Sequence, residues 1–371
     1  MDTHRGKSNK EFMLLSAIGI IFVVDAHAWT SLSLFTAYIP YNSFFMPMFV
    51  FISGYFFKPE SAESMLHYIG RKFKRLMFPY YLWNFFFLAL ELILHHFKLI
   101  SYDYISLSDV LIKPWTSGIM LSVCSPMWFV PALFATEVVY RFFSKCICIN
   151  NILLLIILVI AGAASVYIST NYSFPESMLL PLKIVFFLQF YQIGYVYKYY
   201  KIDTFIHNLK YKGLILVSLL GVNTLRQLHY PNTYAIAFND LATMSGFTTN
   251  NCFLPVISSV IGIGFWCIVV DILTPVLKNN AVLNYISDNT FWIMACHIFM
   301  FNVFNIILIL INNYIHVLPG FDFKKIHETA GYRFEPTSQF RIFYLAAGLF
   351  GALLSKKLFD YVAKKIRILK K

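Results

Sequence analysis

The sequence predicts an all-α, polytopic membrane helix bundle of about ten transmembrane helices, and three observations carry that prediction. Of 371 residues, 58% are hydrophobic and only 13% are charged, with a mean hydropathy of +0.64, so too few polar side chains exist to cover a water-facing surface. Apolar runs long enough to cross roughly 30 Å of hydrocarbon recur along the chain, with basic residues confined to the gaps. These runs lack the period-2 alternation of barrel strands, and lipid offers no partner to an open backbone, so the spans are helices. A single large soluble domain is excluded, and the whole chain reads as one membrane domain.

The first span, residues 12–29, begins in an apolar stretch and carries Asp25 and His27 near its end. The second, 44–57, is rich in Phe and is interrupted by Ser53 and Gly54, a small-residue pair that reads as a helix–helix contact. Residues 59–76 mix Met65, Leu66, Tyr68, Ile69 and Phe73 with cations, the pattern of an interfacial amphipathic stretch. The third span, 77–94, follows the cluster Arg71, Lys72, Lys74 and Arg75. The fourth, 127–143, opens on Trp128, where an interfacial aromatic belt is expected. The remaining runs are 151–168, 179–197, 213–228, 253–272, 290–311 and 340–359. No internal repeat accompanies them, which does not encourage an inverted-repeat transporter.

Net charge of +12 raises the question of nucleic acid, but the cations flank spans rather than forming a binding face. With the N-terminus inside, only Lys98, Lys113, Arg226, Lys324, Lys325, Arg333 and Arg341 fall outside, and Lys183 lies within a span, of 30 Lys and Arg in all. The positive-inside rule therefore places both termini in the cytoplasm, in a membrane expected to be the bacterial cytoplasmic membrane. The first apolar run lacks a clear small-residue cleavage site and reads as a retained span. Six cysteines form no zinc pattern, so no metal is expected. Cys146 and Cys148 read as buried packing, while Cys124 and Cys252 share the outer compartment, which would permit a disulfide.

Titratable groups inside a span are costly and mark functional sites. Asp25 and His27 sit some 22 Å along the first helix from residue 12, at 1.5 Å per residue, and so within reach of the outer face. An imidazole there can take a proton from a hydroxyl, and a carboxylate can stabilise the imidazolium. Two residues apart, Asp25 and His27 point in directions about 200° from each other, which sends Asp25 toward another helix. For His27, an interfacial hydrogen bond to a carbonyl competes with the catalytic role. The cations Arg71 to Arg75 serve either as topology determinants or as a phosphate clamp. A second intramembrane histidine, His297, lies in the ninth span, where an interhelical hydrogen bond is the plainer role. Tyr55 and Trp128 are available to stack on a sugar or a pantetheine arm, with packing as the alternative.

Five segments in order carry a resemblance: VVDAH ending at His27, a Phe-rich second span ending in SGY at Tyr55, RKFKRLMFPYYLW from Arg71, MWFVPALF from Met127, and NTFWIMACH ending at His297. From about Lys10 to Phe359 the chain resembles the acyltransferase-3 family of membrane acyltransferases, especially the fucose or polysaccharide O-acetylase-like branch without a fused extracytoplasmic domain. The resemblance implies transfer of an acetyl group from cytoplasmic acetyl-CoA, as co-substrate, to a sugar hydroxyl of an extracytoplasmic or lipid-linked glycan. His27 matches the family's essential histidine, as base or acyl carrier, and Lys72 and Arg75 match its paired basic positions. Arg71, Lys72, Lys74 and Arg75 would then meet the phosphates of CoA. The chain departs from the family at Ser16, eleven residues before His27, where a cation is usual. Eleven residues is about three turns, so both positions share a face about 16.5 Å apart. Lys10, Arg71 or Lys74 would have to replace that charge.

A reading from another class is a transporter or flippase for a lipid-linked sugar or small molecule, its path lined by Asp25, His27, Glu137, Lys183 and His297. It predicts transport without consumption of acetyl-CoA. A succinyl donor also fits, because cations that hold CoA do not report its acyl chain.

Overall fold

Each of the ten apolar runs holds a helix, because an apolar segment in lipid can satisfy its N–H and C=O groups only within itself. The computed structural model describes residues 2–28, 44–59, 62–99, 101, 106–116, 121–146, 148–229, 251–315, 323–328, 332–334 and 341–369. Among these residues there is no strand. The helices are α1 (Asp2–Ala28), α2 (Phe45–Tyr55), α3 (Met65–His96), α4 (Phe129–Cys146), α5 (Asn151–Asn171) and α6 (Leu179–Tyr199), followed by α7 (Ile202–Asn208), α8 (Lys212–His229), α9 (Leu254–Leu277), α10 (Ala281–Asp288), α11 (Thr290–Ile315) and α12 (Arg341–Lys365). Eight of the described helices are long and apolar enough to cross a membrane, and a ninth results if the bent pair α7 and α8 is one span. The expected count of ten therefore holds as helices but not as full spans. At eleven residues α2 is too short, and the chain turns by 111° between α7 and α8. The long apolar helices make the chain an integral membrane protein.

From Met65 the segment read as an interfacial amphipathic stretch runs without a break into the third span. Its first turn is capped by Ser64, whose hydroxyl accepts from the His67 N–H at 3.2 Å. A π-helical turn at Phe73–Met77 carries the helix on into Phe78–His96. One extra residue per turn shifts the faces on either side of such a turn, a device common at functional sites. Within the run Tyr68 is buried while Leu66 is 83% exposed.

Helix α6 is the centre against which α2 and α5 pack. The contact with α2 is backbone on backbone: a Cβ at Gly54 would come within 2.0 Å of the Tyr191 carbonyl oxygen, and one at Gly194 within 2.0 Å of the Phe51 carbonyl oxygen. The SGY element thus acts as a small-residue helix contact. Tyr55, beside it, stacks on Phe12 at 3.9 Å and donates to Asp203 at 2.9 Å, tying the end of α2 to α1 and α7.

Cysteine behaves differently from expectation. Cys146 and Cys148 are exposed rather than buried, because α4 ends at Cys146 and leaves the pair beyond the packed bundle. Cys124 and Cys252 are both free thiols. Cys124 is buried against α3, where its thiol donates to the side-chain oxygen Oδ1 of Asn84 at 3.5 Å.

Candidate active site

A cavity of about 970 Å³ opens among α1, α2, α3, α4 and α11, at the upper end of the usual range for ligand pockets. On α1 it is lined by Ser16, Ile20 and Val23, a stripe at helical spacing on which His27 is the next position. On α11 it is lined by Thr290, Phe291 and Met294, and His297 continues that stripe. Both stripes end in an imidazole, and the two rings meet edge to face with centroids 5.0 Å apart. In the acyl-transfer reading of the sequence the two histidines had separate roles. Neither histidine lines the cavity; the packing of the first helix against the eleventh is what pairs them.

The tautomers follow from the backbone. His27 Nδ1 lies 2.7 Å from the Val23 carbonyl oxygen and His297 Nδ1 lies 2.9 Å from that of Ile293. A carbonyl only accepts, so each Nδ1 carries the proton and each Nε2 keeps a lone pair. His27 therefore makes the hydrogen bond to a carbonyl expected of a structural histidine. Nε2 of His297 is buried with no hydrogen-bond partner, an uncommon state for a polar atom in a packed interior. Asp25 is buried at 1% exposure.

The opposite end of the cavity is ionic. Lys58, Arg71, Lys72 and Arg75 line it together with Glu63 and Glu137. Arg71 clasps Glu63 through two hydrogen bonds of 2.9 and 2.8 Å, and Lys72 donates to Glu137 at 2.7 Å. The Arg71 guanidinium holds the Glu63 carboxyl below its ordinary 4.5, so this pair is intact at neutral pH and is lost only as pH falls through that lowered value. The second oxygen of Glu137 is buried and unpartnered on the cavity wall. Neither Lys74 nor Arg75 forms an ion pair among the described residues, but only Arg75 faces the cavity; Lys74 is exposed beyond its wall.

Of the cations expected to compensate for Ser16, Arg71 shares the cavity with it, whereas Lys10 and Lys74 do not line it. Trp128 and Tyr55 also lie off the wall: Trp128 stacks on Phe187 and carries the buried Lys183 ammonium 5.0 Å over its ring. Ser53, Phe56 and Phe57 supply the α2 face in place of Tyr55.

Three residues of the site escaped sequence reasoning. Arg141 is fully buried and donates to the carbonyl oxygens of Lys58, Pro59 and Glu63, which fixes the segment that presents Lys58 and Glu63. Its position four residues after Glu137, on one face of a span, was the available signal. Tyr68 lies beneath the guanidinium of Arg71 and the ammonium of Lys72, at 5.2 and 5.6 Å. Arg333 donates from Nε to the His27 carbonyl oxygen at 2.5 Å, and in the sequence it is only one more charge in a long connection.

A family model described as an acyltransferase domain, that of acyltransferase-3, matches residues 9–356. The chain belongs to the acyltransferase-3 family. Its match extends over α1 to α11 and most of α12, so both ends of the cavity fall within the family domain. No curated protein and no solved structure matches the chain. For a membrane acyltransferase, a cavity with cations at one end and two histidines one helical turn beyond its lining at the other is a chemically coherent arrangement.

Proposed function

We propose that this acyltransferase moves an acetyl group from acetyl-CoA to a sugar hydroxyl of an extracytoplasmic or lipid-linked glycan, in the manner of the fucose and polysaccharide O-acetylase-like branch. The observation that carries this reading is the single cavity joining Arg71, Lys72 and Arg75 at one end to the stripes that lead to His27 and His297 at the other. Its volume suits a CoA-sized donor, and cations suit the phosphates. In this reading the basic end faces the cytoplasm and the histidine end faces outward, in a bacterial cytoplasmic membrane with both termini inside.

The pantetheine arm runs along the apolar wall past Ser16 and Ile20, bringing the thioester toward Val23 and His27. The acceptor hydroxyl oxygen attacks the thioester carbonyl, the C–S bond breaks, and CoA leaves as thiolate. His27 Nε2 takes the hydroxyl proton, which returns to the thiolate to give free CoA thiol. Transient acylation of the same nitrogen gives identical products by two steps, with water excluded between them. Arg71 and Lys72 exchange their carboxylate partners Glu63 and Glu137 for donor phosphate.

The deciding experiment incubates purified protein with acetyl-CoA and cell-surface glycan, and follows thiol release together with the mass of the glycan. Wild type should release CoA and add acetyl groups, and His27→Ala should lose both, by at least about 100-fold, the contribution of a positioned base. A His27→Ala protein that acetylates at the wild-type rate would sink this mechanism. Movement of a lipid-linked sugar without thiol release would instead favour the flippase.

A further inference from the structure

We infer that Glu137 is a donor-specificity residue: its carboxylate accepts a hydrogen bond from the hydroxyl of the pantetheine arm, the first hydrogen-bond donor beyond the phosphates of that arm. The inference rests on the reading of acetyl-CoA as the molecule that fills the cavity.

Glu137 stands where the α4 wall of the cavity changes character. Phe129, Val130 and Leu133 line the cavity from this helix, and Glu137 is the next lining position, about 10 Å along the helix axis from Val130 at 1.5 Å per residue. One turn further on, Arg141 donates to the carbonyl oxygens of Lys58 and Pro59. The Tyr68 hydroxyl donates to the Glu137 backbone carbonyl at 3.5 Å, and the ring of Tyr68 carries the Arg71 and Lys72 cations. The carboxylate is thus placed beside the proposed phosphate cations and at the start of the apolar wall.

Its partners are incomplete. Glu137 is only 2% exposed; Lys72 donates to Oε1 at 2.7 Å, and Oε2 has no hydrogen-bond partner. Among the described residues, Lys72 is the one side chain that donates to this carboxylate. A buried ion is tolerated when its partners are in place, and removing one of them leaves an uncompensated charge. When Lys72 turns to a phosphate, Glu137 gives up that partner. A group that donates to the carboxylate then has to arrive with the ligand.

The chemistry of the ligand selects the group. Phosphates offer acceptors and are repelled by a carboxylate, and the acetyl thioester offers no N–H or O–H. The pantetheine arm between them carries a hydroxyl and, further along, amide N–H groups. With the phosphates on Arg71 and Lys72, the hydroxyl is the first donor that reaches the carboxylate beside Lys72. A donor lacking it leaves Glu137 unpaired, and an unpaired buried polar group is a strong means of rejection. The fixed negative charge also opposes movement of the phosphates along the apolar wall, which sets how far the thioester extends toward Val23.

The test is a cycle of Kd values, measured by titration calorimetry on the full-length purified protein in detergent. Wild type and Glu137→Leu are each titrated with CoA and with a CoA analogue in which hydrogen replaces the pantetheine hydroxyl. Wild type should bind the analogue about 10-fold more weakly than CoA, the effect of losing a hydrogen bond to a charged group. Glu137→Leu, which removes the acceptor at similar volume, should distinguish the two ligands by less than about twofold. General loosening of the protein would weaken both ligands alike and leave their ratio unchanged.

A wild type that binds CoA and the analogue equally overturns the inference and leaves the acetyl-CoA reading standing. A ratio that is the same in wild type and Glu137→Leu also overturns it, because another residue then reads the hydroxyl. A wild type that binds neither ligand overturns the acetyl-CoA reading, and the inference falls with it. If Glu137→Leu does not fold, Glu137→Gln decides: it keeps the size of the side chain and removes its charge, so the ratio should fall below half the wild-type value. An unchanged ratio in Glu137→Gln overturns the inference.

Discussion

At the cavity's ionic end, two adjacent exposed cations differ in whether they line the cavity. Arg75 faces the cavity and Lys74 is exposed beyond it, although in the sequence both belong to one basic cluster. Both lie in the π-helical turn at Phe73–Met77, and consecutive residues of a helix point in different directions. Arg75→Ala should raise the KM for acetyl-CoA about 10-fold, the effect of losing one charge-assisted hydrogen bond of about 1.5 kcal/mol. Lys74→Ala should change it less than about twofold. Equal effects in a steady-state titration would mean that the donor does not occupy this cavity. For Arg71 and Lys72 the position is less simple, because each must leave a carboxylate to meet a phosphate.

Among the elements, α2 and α6 show how a motif shared with enzymes can be structural. Gly54 and Gly194 let two backbones touch, and neither position has room for a methyl group. Gly54→Ala should destabilise the protein by about 1–3 kcal/mol, the usual cost of overpacking, and should lower thermal stability in detergent without a selective effect on donor KM. A stable Gly54→Ala protein with altered donor binding would move this element from scaffold to site. Helix α1 plays the other part: its lining stripe from Ser16 to Val23 leads toward His27, whose backbone carbonyl accepts from Arg333.

Across the whole molecule, orientation is the property with the widest consequences, since it decides which side supplies donor and which supplies acceptor. Cys146 and Cys148 are exposed at the end of α4, and the proposed orientation puts them in the cytoplasm. A membrane-impermeant maleimide should therefore label neither in intact cells and both after permeabilisation. Labelling in intact cells, absent in a Cys146→Ser, Cys148→Ser double variant, would reverse the bundle and with it the donor and acceptor sides.

The sequence by itself determined the fold class and the positions of all ten apolar helices, because hydrophobic length and the need to satisfy backbone groups in lipid are local properties. Periodicity likewise made the Ser16 to His27 face legible, since eleven residues close three helical turns. The shortness of α2, the bend between α7 and α8, and the continuous run into α3 were decided by packing and by a π-helical turn that composition does not announce. Only tertiary structure brought His297 to His27, set Tyr55 and Trp128 away from the cavity wall, and ran Arg333 to the backbone of His27. Those pairings span hundreds of residues and depend on which helix faces turn toward each other, and a single sequence records the faces of each helix without recording the neighbour each face meets.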